Sequence, residues 1–149
     1  MDESRPRTGV HSLEELLKTR LGLVLALALT PSLALADKDF VSGKGGTWDC
    51  ASDPVVNIST SAGTFTFKGD CTTINVNGSS LTISIASVGE LNVNGSSNKV
   101  TVDAVDAVNV NGASNTVAWK KGKSTDKPAA NVTGANNKVS GPPAPKKTK

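Results

Sequence analysis

Three Asn-Gly pairs place Gly78, Gly95 and Gly112 at intervals of 17 residues, and stacking the chain on that period aligns three segments almost letter for letter. They read INVNGSSLTISIASV from Ile74, LNVNGSSNKVTVDAV from Leu91 and VNVNGASNTVAWKKG from Val108. A short, faithful repeat confines the chain to architectures in which one small unit buries its apolar face only against its neighbours. Weaker copies flank these: VNISTSAGTFTFKGD from Val56, offset by 18, and ANVTGANNKVSG from Ala130, offset by 22. The extra residues of the last interval fall in a lysine-rich stretch, Lys121 to Pro128.

Apolar residues alternate within each copy, the period-2 signature of a strand with one buried face. Leu91 and Val93 face one way, Asn92 and Asn94 the other, and Val100 and Val102 resume the buried face after the Asn-Gly pair. The β-branched content argues the same way. The fold class is therefore all-β, and two architectures fit. Each copy is one coil of a short β-solenoid, about five coils of 17–18 residues, or each Asn-Gly turns an antiparallel hairpin and the copies build a sandwich or meander. Stacked coils reward like residues at matching positions, because polar side chains then hydrogen-bond along a ladder; hairpins do not. Asn57, Asn75, Asn92, Asn109 and Asn131 match through all five copies, which favours the solenoid. Its interior columns are expected to be Val56, Ile74, Leu91, Val108 and Ala130; Ile58, Val76, Val93, Val110 and Val132; and Phe65, Ile83, Val100, Val117 and Val139. Trp48, Phe65, Phe67 and Trp119 read as core closure near the two ends, with Phe40 to Asp53 as a lid.

Residues 1–36 read as an export signal. Lys18 and Arg20 precede the apolar run Leu21 to Leu29, and Ala34-Leu35-Ala36 offers the small-x-small pattern that a signal peptidase accepts, so cleavage is expected after Ala36. The run ends at Thr30-Pro31, short of the roughly 20 apolar residues a membrane span needs, and no span is expected once the signal is removed. A secreted or periplasmic protein follows, with residues 37–141 as one repetitive domain and residues 142–149 as a basic Pro/Lys tail. Cys50 and Cys71 suit an oxidising compartment, where a bridge between them contributes roughly 3 kcal/mol by constraining the unfolded chain; two buried thiols are the alternative. Charge is segregated: Asp37 to Trp119 carries four lysines against eight acids, whereas Lys120 to Lys149 carries eight lysines against Asp126 alone. The acidic, arginine-free body excludes nucleic acid as its partner.

The segment from Asp37 onward contains no His, Arg or Tyr. That removes a Ser-His-Asp triad, imidazole metal sites and an arginine clamp together, so no catalytic residue, metal or cofactor is expected. Asp103 and Asp106 face Lys120 and Lys123 one period on, not further acids, and read as solvated bend residues. The candidate binding face is the polar array of Asn57, Asn75, Asn77, Asn92, Asn94, Asn109, Asn111 and Asn131, which either stabilises the stack or meets glycan hydroxyls or ordered water.

GGTWDC (Gly45 to Cys50), DPVVNI (Asp53 to Ile58), FKGDC (Phe67 to Cys71) and the NVNGSSN, NVNGASN and GANNKV segments resemble the bacterial domain-of-unknown-function 3060 family over nearly the whole chain after residue 36. The resemblance implies an exported or surface-associated protein of repetitive β structure, with no activity to carry over. Many members have Asn where this chain has Leu81, so that ladder is interrupted there. The expected function is a non-catalytic structural or interaction module of the cell envelope or extracellular space, with envelope polysaccharide or protein as partner. The alternative is a carbohydrate- or ice-binding protein using the Asn face; a polysaccharide-processing enzyme on a β-helix ranks behind both.

Overall fold

The computed structural model describes residues 37–142. The export signal expected over residues 1–36 lies outside the described residues, as does all of the expected 142–149 tail except residue 142. Among the described residues nine strands form one sheet: β1 Lys38–Phe40, β2 Gly45–Asp49, β3 Val55–Ile58, β4 Thr64–Val76, β5 Thr82–Ser96, β6 Lys99–Ala113, β7 Thr116–Gly122, β8 Ala129–Ala135 and β9 Lys138–Ser140. All strand pairs are parallel. The chain is a β-solenoid, and the hairpin alternative is excluded: Asn-Gly does not reverse the strand here.

The left-handed conformation that a hairpin turn would take at Asn-Gly falls instead two residues after each of these glycines. Ser80, Ser97 and Ser114 each sit at φ 58°. The glycines serve close approach: a Cβ on Gly112 (φ 134°) would lie 1.9 Å from the Gly95 carbonyl oxygen of the coil beneath. A side chain there has no room.

Register follows the repeat. Ile74, Leu91 and Val108 stack, as do Val76, Val93 and Val110, and Ile83, Val100 and Val117. Most of these side chains are fully buried, and they form a single apolar core along the solenoid axis. The stack holds about six turns, one more than the five repeat copies. The additional coil is Lys38–Asp49, which lacks the Asn-Gly signal but pairs in register, Phe40 on Ile58 and Gly46 on Phe65.

This coil closes the N-terminal end. Phe40 packs edge-on to Phe65 and Phe67, with ring centroids 5.2 and 6.0 Å apart, and the Lys38 ammonium lies 4.5 Å from the Trp48 ring centroid. The expected disulfide joins Cys50 to Cys71, tying the coil to β4. At the other end β8 is exposed along its whole length and Val132 is 44% exposed. The 22-residue interval resolves as expected into a loop between β7 and β8.

Candidate functional site

Alternation puts Asn57, Asn75, Asn92 and Asn109 on the outer side of strands whose neighbours Val56, Ile74, Leu91 and Val108 fill the core, and parallel register stacks them. Each carboxamide N–H donates to the carbonyl of the coil before it. Asn109 donates to Asn92 (2.9 Å), Asn92 to Asn75 (3.0 Å), Asn75 to Asn57 (2.9 Å), and Asn57 to the Asp39 carboxylate (2.9 Å). Asn109 also donates to Glu90 at 3.0 Å, and Asn131 stands in register beyond Asn109, exposed. The second column is looser and more exposed. Asn94 donates to Asn77 at 3.3 Å, and Asn111 accepts from the Thr133 hydroxyl at 3.2 Å. A carboxamide offers two donors and two lone pairs, so the ladder consumes part of each side chain's capacity in holding the stack. What faces solvent is the remainder.

A third asparagine column, which sequence reasoning does not single out as a site, lies inside the corner. Asn98 and Asn115 are buried, at 1% and 0% exposure, and Asn137 is half-buried. They sit immediately after the φ > 0 corner residues and turn their side chains inward. Asn98 donates to the Gly78 carbonyl (2.9 Å) and to Asn115 Oδ1 (3.0 Å); Asn115 donates to the Gly95 carbonyl (2.9 Å) and to Asn137 Oδ1 (3.1 Å). Each Oδ1 in turn accepts the backbone N–H of the matching residue one coil earlier: Asn98 Oδ1 from Leu81, Asn115 Oδ1 from Asn98, and Asn137 Oδ1 from Asn115. A buried corner cannot leave these backbone groups unpaired without cost. The column is structural, and it ends at Leu81, whose side chain is buried where the next amide would stand.

The carboxylates are used singly. Asp103 pairs with Lys120 at 2.6 Å, as the one-period spacing implied. Asp106 accepts the backbone N–H (2.6 Å) and hydroxyl (3.0 Å) of Ser124 and so anchors the β7–β8 loop. Lys123 of that loop reaches back to Asp70 at 2.6 Å, and this bond, with one from Ser87, holds the Asp70 carboxyl below its usual range. No group of three His, Cys, Asp or Glu side chains is placed to hold a metal among the described residues, and no helix among them is long and apolar enough to cross a membrane.

Two open depressions mark the surface. One, of about 480 Å³, lies at the C-terminal end over Trp119, Pro128, Ala130, Val132 and Val139; Trp119 faces inward, in the column of Val102. The other, of about 300 Å³, runs along a corner beside Thr66, Ser84 and Thr101, away from the asparagine columns.

No curated protein and no solved structure matches the chain. Two overlapping segments, residues 58–95 and 87–128, match the family model described as Protein of unknown function (DUF3060), and together they contain the strong repeats from which the solenoid is built. Residues 58–128 of the chain belong to that family.

Proposed function

We propose that this solenoid is a non-catalytic structural or interaction module, exported to the cell envelope or extracellular space. The observation that carries the reading is the outer asparagine column: five residues from Asp39 to Asn109 are joined end to end by hydrogen bonds of 2.9–3.0 Å, spending polar side chains on rigidity. Catalytic clefts need converging groups held at reactive distance, whereas here Asp70 and Asp103 are each occupied by a lysine and Asp106 by a loop serine. The Cys50–Cys71 bridge supports an oxidising destination, and the apolar run with Ala34-Leu35-Ala36 supports the route.

The test is binding of the purified chain to isolated cell-envelope polysaccharide, beside a variant with Asn75, Asn92 and Asn109 changed to Ala. Equal binding by both makes the column scaffolding on a module that binds elsewhere. Loss of binding by a variant that remains folded moves the function to the Asn face. Absence of binding by either directs the search to protein partners. Fractionation, with N-terminal sequencing of the mature chain expected to begin at Asp37, checks export separately.

A further inference from the structure

The corner beside β4–β7 differs from the asparagine face in what its polar groups do. Thr66, Ser84 and Thr101 stack in register on the outer side of Phe65/Phe67, Ile83/Ile85 and Val100/Val102. Among the described residues their hydroxyls take part in no side-chain hydrogen bond, in contrast to the bonded column of Asn57 to Asn109. They form one wall of the 300 Å³ depression.

Its shape comes from one small residue among long ones. The register shift between Phe67 and Asp70 sets Lys68 and Gly69 against Ala86 alone. The next coils present Asp103 and then Lys120, so Ala86 leaves a dip between side chains that stand up on either side. Successive coils are separated by about 4.8 Å, the inter-strand spacing, which is close to the length of one hexose unit in an extended glycan. A chain laid along the axis therefore advances about one sugar per coil past a ladder of hydroxyls. The charges at the dip are unequal: Lys120 is engaged by Asp103 at 2.6 Å, while Lys68 makes no ion pair among the described residues. An anion fits that end of the groove: Asp49, in register beside Lys68, accepts the Ala51 backbone N–H and forms no ion pair with the lysine, which therefore offers a local positive charge on a body that is acidic overall.

We propose that this corner groove binds an acidic polysaccharide lengthwise, with hydroxyls of Thr66, Ser84 and Thr101 meeting sugar hydroxyls and Lys68 pairing with a carboxylate. The proposal rests on the reading of the domain as an interaction module and gives it a ligand class. The groove is open and has no exposed aromatic to stack a ring, so affinity comes from repetition along a polymer, and short oligosaccharides bind weakly.

The full chain is tested against polygalacturonate, neutral dextran and polyphosphate at low and physiological salt. Polygalacturonate is expected to bind and dextran to bind far less. Lys68→Gln, on an exposed residue, is expected to weaken polygalacturonate binding about tenfold, the effect of one charge-assisted hydrogen bond. Ala86→Gln, which fills the dip with an outward-pointing side chain, should abolish it while leaving the melting temperature within a few degrees. The Asn75/Asn92/Asn109 triple variant, where folded, should bind as wild type. The proposal is overturned if polyphosphate binds as well as polygalacturonate and Thr66→Val with Thr101→Val changes neither, because lysine charge alone then explains binding. It is also overturned if Ala86→Gln binds normally, or if polygalacturonate does not bind at all. Since binding to whole envelope polysaccharide is read separately, a failure here leaves the broader reading standing.

Discussion

Replacing Asn115 with Ala would test whether the inner ladder, not the outer one, decides stability. Asn115 is fully buried, and its amide makes four hydrogen bonds to three residues in two coils. Truncation leaves the Asn98 backbone N–H without its acceptor at 3.1 Å and the Gly95 carbonyl without its donor at 2.9 Å. Asn98 Nδ2 keeps its bond to Gly78 but loses the other. A buried backbone group left unpaired costs about 1–3 kcal/mol, so two of them and a small void predict a loss of about 3–5 kcal/mol. Asn92→Ala removes one donor and one acceptor from the outer ladder, but that position is partly exposed and water can replace both. Its expected cost is about 1 kcal/mol. Urea unfolding of the oxidised chain, followed by far-UV circular dichroism, compares the two, with slopes checked alongside midpoints because a stack of coils can lose cooperativity. If Asn115→Ala costs no more than Asn92→Ala, the inner ladder does not carry the corner and the reasoning fails.

Gly112→Ala should cost at least about 3 kcal/mol, because the new Cβ meets a backbone carbonyl at 1.9 Å and φ is 134°; a melting temperature near wild type would mean the coils can spread apart. Removing the Cys50–Cys71 bridge by double Ala substitution should cost about 3 kcal/mol, read by denaturation of the variant against the oxidised parent. Asp70 is held below its usual pKa by Lys123 and Ser87, so the stability this contact carries is present above the unfolded carboxylate value and fades as pH falls through the lowered folded value. Lys123→Met should move the Asp70 titration upward, seen by carboxyl NMR; an unmoved titration would show that the bridge does not persist in solution.

The architecture is legible in the sequence because identity at matched positions is a signal that hairpins do not need. Asn57, Asn75, Asn92, Asn109 and Asn131 announce stacking by themselves, and alternation alone gives the interior columns as far as Val108, Val110 and Val117; Ala130 and Val132, expected inside, are exposed because β8 is the last strand over that face. The inner ladder is harder to read: an asparagine beside a turn looks like a solvated residue, and Asn98, Asn115 and Asn137 recur in the same repeats as the outer columns. Leu81 holds the clue, since an apolar side chain at the matched position points to a buried site, and the swap registers as an interrupted ladder without revealing which way that ladder faces. The N-terminal coil escapes the repeat count because its contacts are aromatic, Phe40 and Trp48 replacing the aliphatic columns, and because offsets of 18 and 19 residues to the next coil break the period. The corner groove depends on a bulge at Lys68–Gly69, which alternation alone does not locate.

The outer asparagine ladder also has a direction. Every amide donates toward the N-terminus, so the aligned dipoles leave their positive end at Asn57, where Asp39 sits with its negative charge. The arrangement is the counterpart of a carboxylate at the start of a helix, matching an oriented row of donors with an anion. A carboxylate accepts but has no N–H to pass on. Asp39 is therefore both the electrostatic anchor of the column and its last rung, and another chain brought against that edge would find no donor with which to continue it.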